Sequence, residues 1–281
     1  MKDTNIEDIT KKLEQGVKDL FEGENYHNFL VTMSKFYNYS FNNCLLIAMQ
    51  MPEATRVAGY KSWQTNFKRN VKKGEKAIKI LAPIPKKFVK VVELEDGSVE
   101  EKEINYMRFR AVPVFDISQT EGEELPEICK MLDGSVEGFE EVIKRVQDAS
   151  PVDVEYKEIE GGANGYYSHD TNSIVVDERL SEQQKVKTLI HEIAHAILHN
   201  KEDGAEKEAD KRTREVQAES VAYTVASYLG IDTSEYSFGY VAGWSAGKDA
   251  KELVESMDVI RNTAKMIIEN IEGTHKKVCE S

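Results

Sequence analysis

Two histidines and a glutamate stand together in His191-Glu192-Ile193-Ala194-His195, an H-E-x-x-H string. Residues i and i+4 share a helix face, so both imidazoles can reach one cation while Glu192, beside the first histidine, can touch its water. That set describes metal-assisted hydrolysis, with His191 and His195 as ligands and Glu192 as general base. Val186, Leu189, Ile190, Ile193 and Ile197 fill much of the remaining circumference, which predicts a largely buried helix where unpaired histidines would be costly. The competing reading is an accidental five-residue match on a solvated helix. Against it stand the apolar helix and a cap formed by Ser181 and Gln184.

A catalytic zinc takes a third protein ligand and leaves one position for water. Downstream, Glu215 and Glu219 sit four apart and share a helix face with Ala222 and Ala226, small enough to admit a close neighbour. The arrangement resembles the gluzincin pattern, in which the first acid of E-x-x-x-D ligates zinc and the second orients a ligating histidine through its free N–H. Glu219 replaces the aspartate here, so Glu215 is expected as ligand and Glu219 behind it, with the two roles exchangeable in principle. His199 is expected to be structural, because eight residues of ideal helix turn it ~80° away from His191. His169 is expected in a loop.

A second chemistry lies upstream. Between Thr55 and Lys90 there are nine Lys and two Arg against the single acid Glu75. That segment therefore carries +10, and the rest of a chain whose total is −13 carries −23. Tyr60, Trp63 and Phe67 are interleaved with these cations. Stacking on aromatics together with phosphate neutralisation is how single strands are held without sequence readout. Trp63 and Phe67, at i and i+4, fit equally well as the core face of a helix with the lysines in solvent. Composition alone leaves both readings open.

The elements that must position these residues follow from periodicity. At ~150 residues per domain, 281 residues predict two domains. Thr4 and Glu7 form a capping box for a first amphipathic helix; further helices are expected over 26–36, 41–49 and 60–67. Strands are expected over 77–81, 87–94, 99–109 and 111–117, with Asp96-Gly97 as a hairpin signal. An acidic linker with Gly122 and Pro126 and a helix over 136–146 precede strands at 152–159 and 173–176. Long helices are then expected at about 182–200, 209–229 and 248–272. The expected fold class is thus α+β: a small helix-plus-antiparallel-sheet domain over 1–120, a linker and helix over 121–150, and a mainly helical domain over 151–281. No apolar run approaches the ~20 residues that span a bilayer, so no transmembrane helix is expected, and the first residues show no apolar h-region or cleavage site, so export is not expected. Cys44, Cys129 and Cys279 are odd in number and far apart, which suits a cytoplasmic location.

Tyr39-Ser40-Phe41-Asn42-Asn43, Gln50-Met51-Pro52, Gly59 to Trp63, Val71 to Lys76 and Val114 to Gly122 together resemble the N-terminal domain of ArdC-type antirestriction proteins. Gly165-Tyr166-Tyr167 and the H-E-x-x-H helix are similar to the zincin-like ArdC C-domain and its ImmA/IrrE relatives. The resemblance implies single-stranded DNA binding by the first domain, a Zn2+ metallopeptidase fold in the second, and residence on a conjugative or other mobile element. Tyr60, Lys61, Trp63, Lys68, Arg69, Lys72, Lys73 and Lys76 become the expected DNA contacts, and a protein or peptide the expected substrate. Two alternatives stand beside this reading: an ImmA-like regulatory protease cutting a repressor, and a non-catalytic DNA-protecting protein with a structural zinc.

Overall fold

The computed structural model describes residues 6–22, 24–93, 99–125, 136–199, 210–236 and 238–279. Thr4, Asp96-Gly97, Pro126 and Cys129, invoked above, lie outside these residues. The chain divides into two compact units, one within 1–15 and 46–123, the other within 16–45 and 124–281. The α+β class is observed, but residues 16–45 pack with the second unit, although their sequence position places them with the first. The physical reason is a buried polar and aromatic seam: on helix α2 (Asn25–Lys35) Tyr26 hydrogen-bonds Ser220 at 2.6 Å and His27 hydrogen-bonds Tyr223 at 2.8 Å. Periodicity reveals a helix's apolar face, not which neighbour covers it.

In the first unit, α1 (Ile6–Leu20) contributes its first turns and α3 (Phe41–Gln50) its last. Then follow β1 (Val57–Ala58), α4 (Tyr60–Phe67), β2 (Arg69–Val71), β3 (Ile78–Glu93), β4 (Val99–Asp116), a 3-10 turn (Ile117–Gln119) and β5 (Thr120–Gly122). The four strands expected between 77 and 117 are two. β3 and β4 form one long antiparallel ribbon, Ile78 opposite Val114 through Glu93 opposite Val99. Pro83 and Pro85, which look like a break in sequence, are alternate residues of an edge strand in the order β1-β4-β3. An edge strand tolerates proline, because a nitrogen turned to its open side has no ladder bond to lose.

The segment Val114 to Gly122 ties this unit together. Buried Asp116 accepts the backbone N–H groups of Thr55 and Arg56 at 2.8 and 2.9 Å on Oδ2, and that of Ser118 at 3.0 Å on Oδ1. Gln119 Oε1 accepts the Asp116 N–H at 2.9 Å, while its Nε2 donates to Glu75 at 3.0 Å and to the Lys76 carbonyl at 2.8 Å. Gly122 has φ +140°, and a Cβ there would lie 2.6 Å from the Lys68 carbonyl oxygen. Trp63 is fully buried, donates to the Phe115 carbonyl at 2.9 Å and packs on Phe67. It therefore cannot stack on a base, which corrects its assignment as a DNA contact: Trp63 is core, with half-buried Phe67 against it.

The second unit contains α2, α5 (Val136–Asp148), β6 (Asp153–Lys157), β7 (Gly165–Ser168), β8 (Ser173–Asp177), α6 (Glu182–Leu198), α7 (Lys211–Leu229), α8 (Val241–Ser245) and α9 (Ala250–Cys279). β8 pairs parallel with β6 and antiparallel with β7, leaving β7 on the edge. Ser181 caps α6 and Asp210 caps α7, each accepting a backbone N–H of the first turn, and Gly230 ends α7 with φ +79°. Val186, Leu189, Ile190 and Ile193 are fully buried. No described helix is long and apolar enough to cross a membrane.

Two variants test this account. Burial opposes the Asp116 charge, but the Ser118, Arg56 and Thr55 N–H bonds outweigh it and hold the carboxyl below its ordinary value. A depressed folded value means that its stabilisation is present above pH ~4 and is lost as pH falls through that folded value. Asp116→Asn keeps one acceptor oxygen for three N–H groups and should cost about 1–3 kcal/mol in urea denaturation at pH 7. Trp63→Ala should cost about 3–5 kcal/mol in thermal denaturation followed by circular dichroism, against little for a solvent-exposed residue.

Candidate functional sites

Helices α6 and α7 pack side by side, with Ala194, Ala218 and Ala222 fully buried. Small side chains let the backbones approach, and the polar residues of both helices converge at one point. His191 Nε2 and His195 Nε2 lie 3.0 Å apart, and Glu215 Oε2 is 3.8 Å from each. One ligand atom from each of the three lies within 4.8 Å of the others. Two imidazole nitrogens and a carboxylate oxygen are a donor set that suits a divalent cation of borderline softness. Glu219 stands behind, its Oε2 3.3 Å from His191 Nδ1, so it faces the nitrogen turned away from the cluster. Within this geometry Glu215 fits the ligand position and Glu219 the orienting one, an order the sequence leaves exchangeable.

Glu192 is buried beside them. Burial raises its carboxyl above the ordinary value, against the attraction of His191 and a bond from the Tyr167 backbone N–H. His191 is also raised: burial works against its charge, and the Glu219 bond and surrounding carboxylates prevail. His195 is pushed down to about 3 by burial and by the cationic surroundings of His191, His199 and Arg214. Edge strand β7 runs close past this helix. A Cβ on Gly165 would meet Thr188 Cγ2 at 2.6 Å and the Val175 carbonyl oxygen at 2.9 Å, so Gly165 is what admits the strand. β7 itself is absent from the periodicity reading, because four residues are too few to show an alternation.

Two clefts reach the cluster. One, of 360 Å³, is lined by Gln184, Lys187, Thr188, Glu219 and Tyr236 as well as His191 and Glu192; Lys187 pairs there with Glu235 at 3.2 Å. The other, of 420 Å³, is lined by Tyr166, Tyr167, His169, Lys211 and Arg214 together with His195. His169, expected in a loop, lies immediately after β7 and takes part in this second wall.

In the first unit the expected DNA contacts separate into two groups. Lys68 pairs with Glu123 at 3.4 Å, and Lys72 donates to the Ser118 carbonyl at 2.9 Å. Arg69 spends its guanidinium on Thr120 and on the Gly122 and Glu123 carbonyls. Arg69 thus holds β2 against β5. Tyr60, Lys61, Lys73 and Lys76 are exposed. The ribbon adds residues that the sequence reading misses. Residues 78–87 and 105–114 carry five cations and no acid. Lys86 opposite Tyr106, Ile84 opposite Arg108 and Ala82 opposite Arg110 fall on one face, and Lys86, Tyr106, Arg108 and Arg110 are exposed. Strand alternation around Tyr106, Arg108 and Arg110 is the signal that could have found them.

Two family models match the chain in succession. Residues 1–115 match a family model described as the N-terminal domain of anti-restriction factor ArdC. Residues 147–238 match a peptidase family model described as an IrrE N-terminal-like domain. An uncharacterized Bacillus anthracis protein is 31% identical over 317 residues, a match covering 99% of this chain and 51% of that protein. The chain therefore spans about half the length of this curated relative. Two crystal structures of antirestriction ArdC protein from plasmid R388 share the fold. The metal-free one has a TM-score of 0.53 at 20% identity, covering 84% of this chain and 86% of that one. The Mn(II)-bound one has a TM-score of 0.56 at 16% identity, covering 94% and 97%.

Proposed function

We propose that this chain, which joins an ArdC-type N-terminal domain to an IrrE-like peptidase-family domain, is an antirestriction-type, cytoplasmic protein of a mobile element that binds single-stranded DNA and carries a zinc-dependent peptidase centre. The observation that carries the second half is the meeting of His191 Nε2, His195 Nε2 and Glu215 Oε2, with Glu192 buried beside them. The R388 ArdC protein, which shares the fold and was solved with Mn(II), supports binding of a divalent ion. Zinc is the favoured ion here on donor chemistry, since imidazole nitrogen with one carboxylate suits it.

His191, His195 and Glu215 would hold the ion, and Glu219 keeps His191 turned by accepting its Nδ1–H. When bound, the ion supplies a Lewis acid that polarises a peptide carbonyl and activates water. Glu192 accepts a proton on its carboxylate from the attacking water and returns it to the departing amine nitrogen. Its raised affinity for protons assists the return. The open edge of β7 can align an extended backbone beside Glu192 by main-chain hydrogen bonds. Glu192 also favours a catalytic reading over a purely structural zinc, because a structural site has no use for a general base.

DNA binding rests on the N-terminal family match and on two exposed sets, Tyr60, Lys61, Lys73 and Lys76, and Lys86, Tyr106, Arg108 and Arg110. The cations neutralise phosphates, and the tyrosines offer faces to unpaired bases. Lys68, Arg69 and Lys72 contribute charge from positions already fixed by the fold.

Measurements of zinc binding, peptide hydrolysis and DNA binding test these statements. Elemental analysis of the purified chain should give about one zinc per molecule, lost in the His191→Ala/His195→Ala double variant. Glu215→Ala should weaken zinc more than Glu219→Ala, for which loss of an orienting partner predicts ~10–100-fold. Glu192→Gln should keep zinc and lose peptide hydrolysis, and stoichiometric metal in the double variant would place the site elsewhere. Fluorescence anisotropy with a labelled oligonucleotide should show tighter binding to single strand than to duplex. Log affinity should fall with log salt at a slope of ~0.7 per phosphate contacted. Arg108→Ala/Arg110→Ala should flatten that slope; equal binding to duplex, or indifference to salt, refutes the DNA reading.

A further inference from the structure

His199 is one helical turn beyond His195, and the two Nδ1 atoms lie 2.9 Å apart. Only one proton can occupy that gap, so one ring donates and the other is bare. The opposite nitrogen of His199, Nε2, lies 3.3 Å from Gln217 Oε1 on α7. With the amide oxygen on this side, which only accepts, the His199 proton sits on Nε2. The other end of the Gln217 amide, Nε2, donates to Ser256 Oγ on α9 at 3.3 Å. Gln217 and Ser256 are both buried. The direction of the whole chain follows. With Nε2 protonated, neutral His199 has a bare Nδ1 and accepts from His195. His195 then carries its own proton on Nδ1, and its Nε2 is bare where it meets His191 and Glu215. If the Gln217 amide is turned over, every bond reverses and His195 presents an N–H to the cluster, which cannot ligate a cation.

We infer that His199 is a positioning residue. It accepts the Nδ1–H of His195, is itself held by Gln217 and Ser256, and so fixes the tautomer of His195 that leaves Nε2 free for a divalent ion. His199 does for His195 what Glu219 does for His191, with a neutral ring in place of a carboxylate. This deepens the metal-centre reading, although the tautomer is a property of the metal-free protein.

The test is long-range proton–nitrogen correlation NMR on the metal-free full chain at neutral pH, with rings assigned through single histidine variants. His195 should be protonated on Nδ1 and His199 on Nε2. His199→Phe keeps ring volume but cannot accept, and His195 should shift toward the Nε2–H form. His199→Gln, whose amide oxygen accepts, should restore the Nδ1–H form. In chelator competition, zinc(II) should bind His199→Phe about 10–100-fold more weakly than wild type, with His199→Gln recovering much of the loss. A His195 proton on Nε2 in the wild-type protein overturns the inference, as does a tautomer or zinc affinity that ignores His199→Phe. If the tautomers are as stated but wild type takes up no zinc, the metal reading fails while the relay stands.

Discussion

Two imidazole nitrogens 3.0 Å apart, both turned toward one carboxylate oxygen, are a costly arrangement in a buried helix, and much of the second unit makes it possible. Each ring must be held from behind, because a free imidazole would rotate to find a better partner. Glu219 and His199 provide those partners from opposite sides. Glu219 reaches His191, and Gln217 reaches His199, only because α6 and α7 lie close together, which fully buried Ala194, Ala218 and Ala222 allow. Gln217 then reaches between His199 and Ser256, linking the geometry of the cluster to a third helix. The absence of a side chain at Gly165 brings β7 against the same face. Strong packing and complete hydrogen bonding are thus parts of one requirement, since a partly satisfied polar cluster costs more than an apolar one.

The first unit solves a different problem with similar means. It is small and its sheets are narrow, so a buried polar hub does part of what a larger apolar core would do. Asp116 and Gln119 gather backbone groups from 55–56, 76, 116 and 118. Arg69 clamps the two short strands β2 and β5. This changes the meaning of the basic segment. Part of its charge is structural, and the surface that meets solvent is distributed between the α4 region and the base of the ribbon. A nucleic-acid surface built this way would be broad and weakly directional, suiting recognition of backbone charge more than of sequence.

Sequence by itself determined which polar residues share a face. H-E-x-x-H on a capped helix, followed by Glu215 and Glu219 four apart, aims two imidazoles from one helix and two carboxylates from another, because helical geometry turns spacing into direction. Caps at Ser181 and Asp210 and the stop at Gly230 are local, and the helices end where those residues act. Tertiary structure decided what spacing cannot reach. It put Glu215 by the two facing ring nitrogens and Glu219 behind His191, which depends on how α7 is rotated against α6. It gave His199 a partner on another helix, Gln217 on α7, which a residue ~80° off the ligand face can reach. It buried Trp63, drew residues 16–45 into the second unit through Tyr26 and His27, and joined strands across Pro83 and Pro85. Each of these is a contact between residues distant in sequence, and their energy depends on what lies opposite, which no local pattern records.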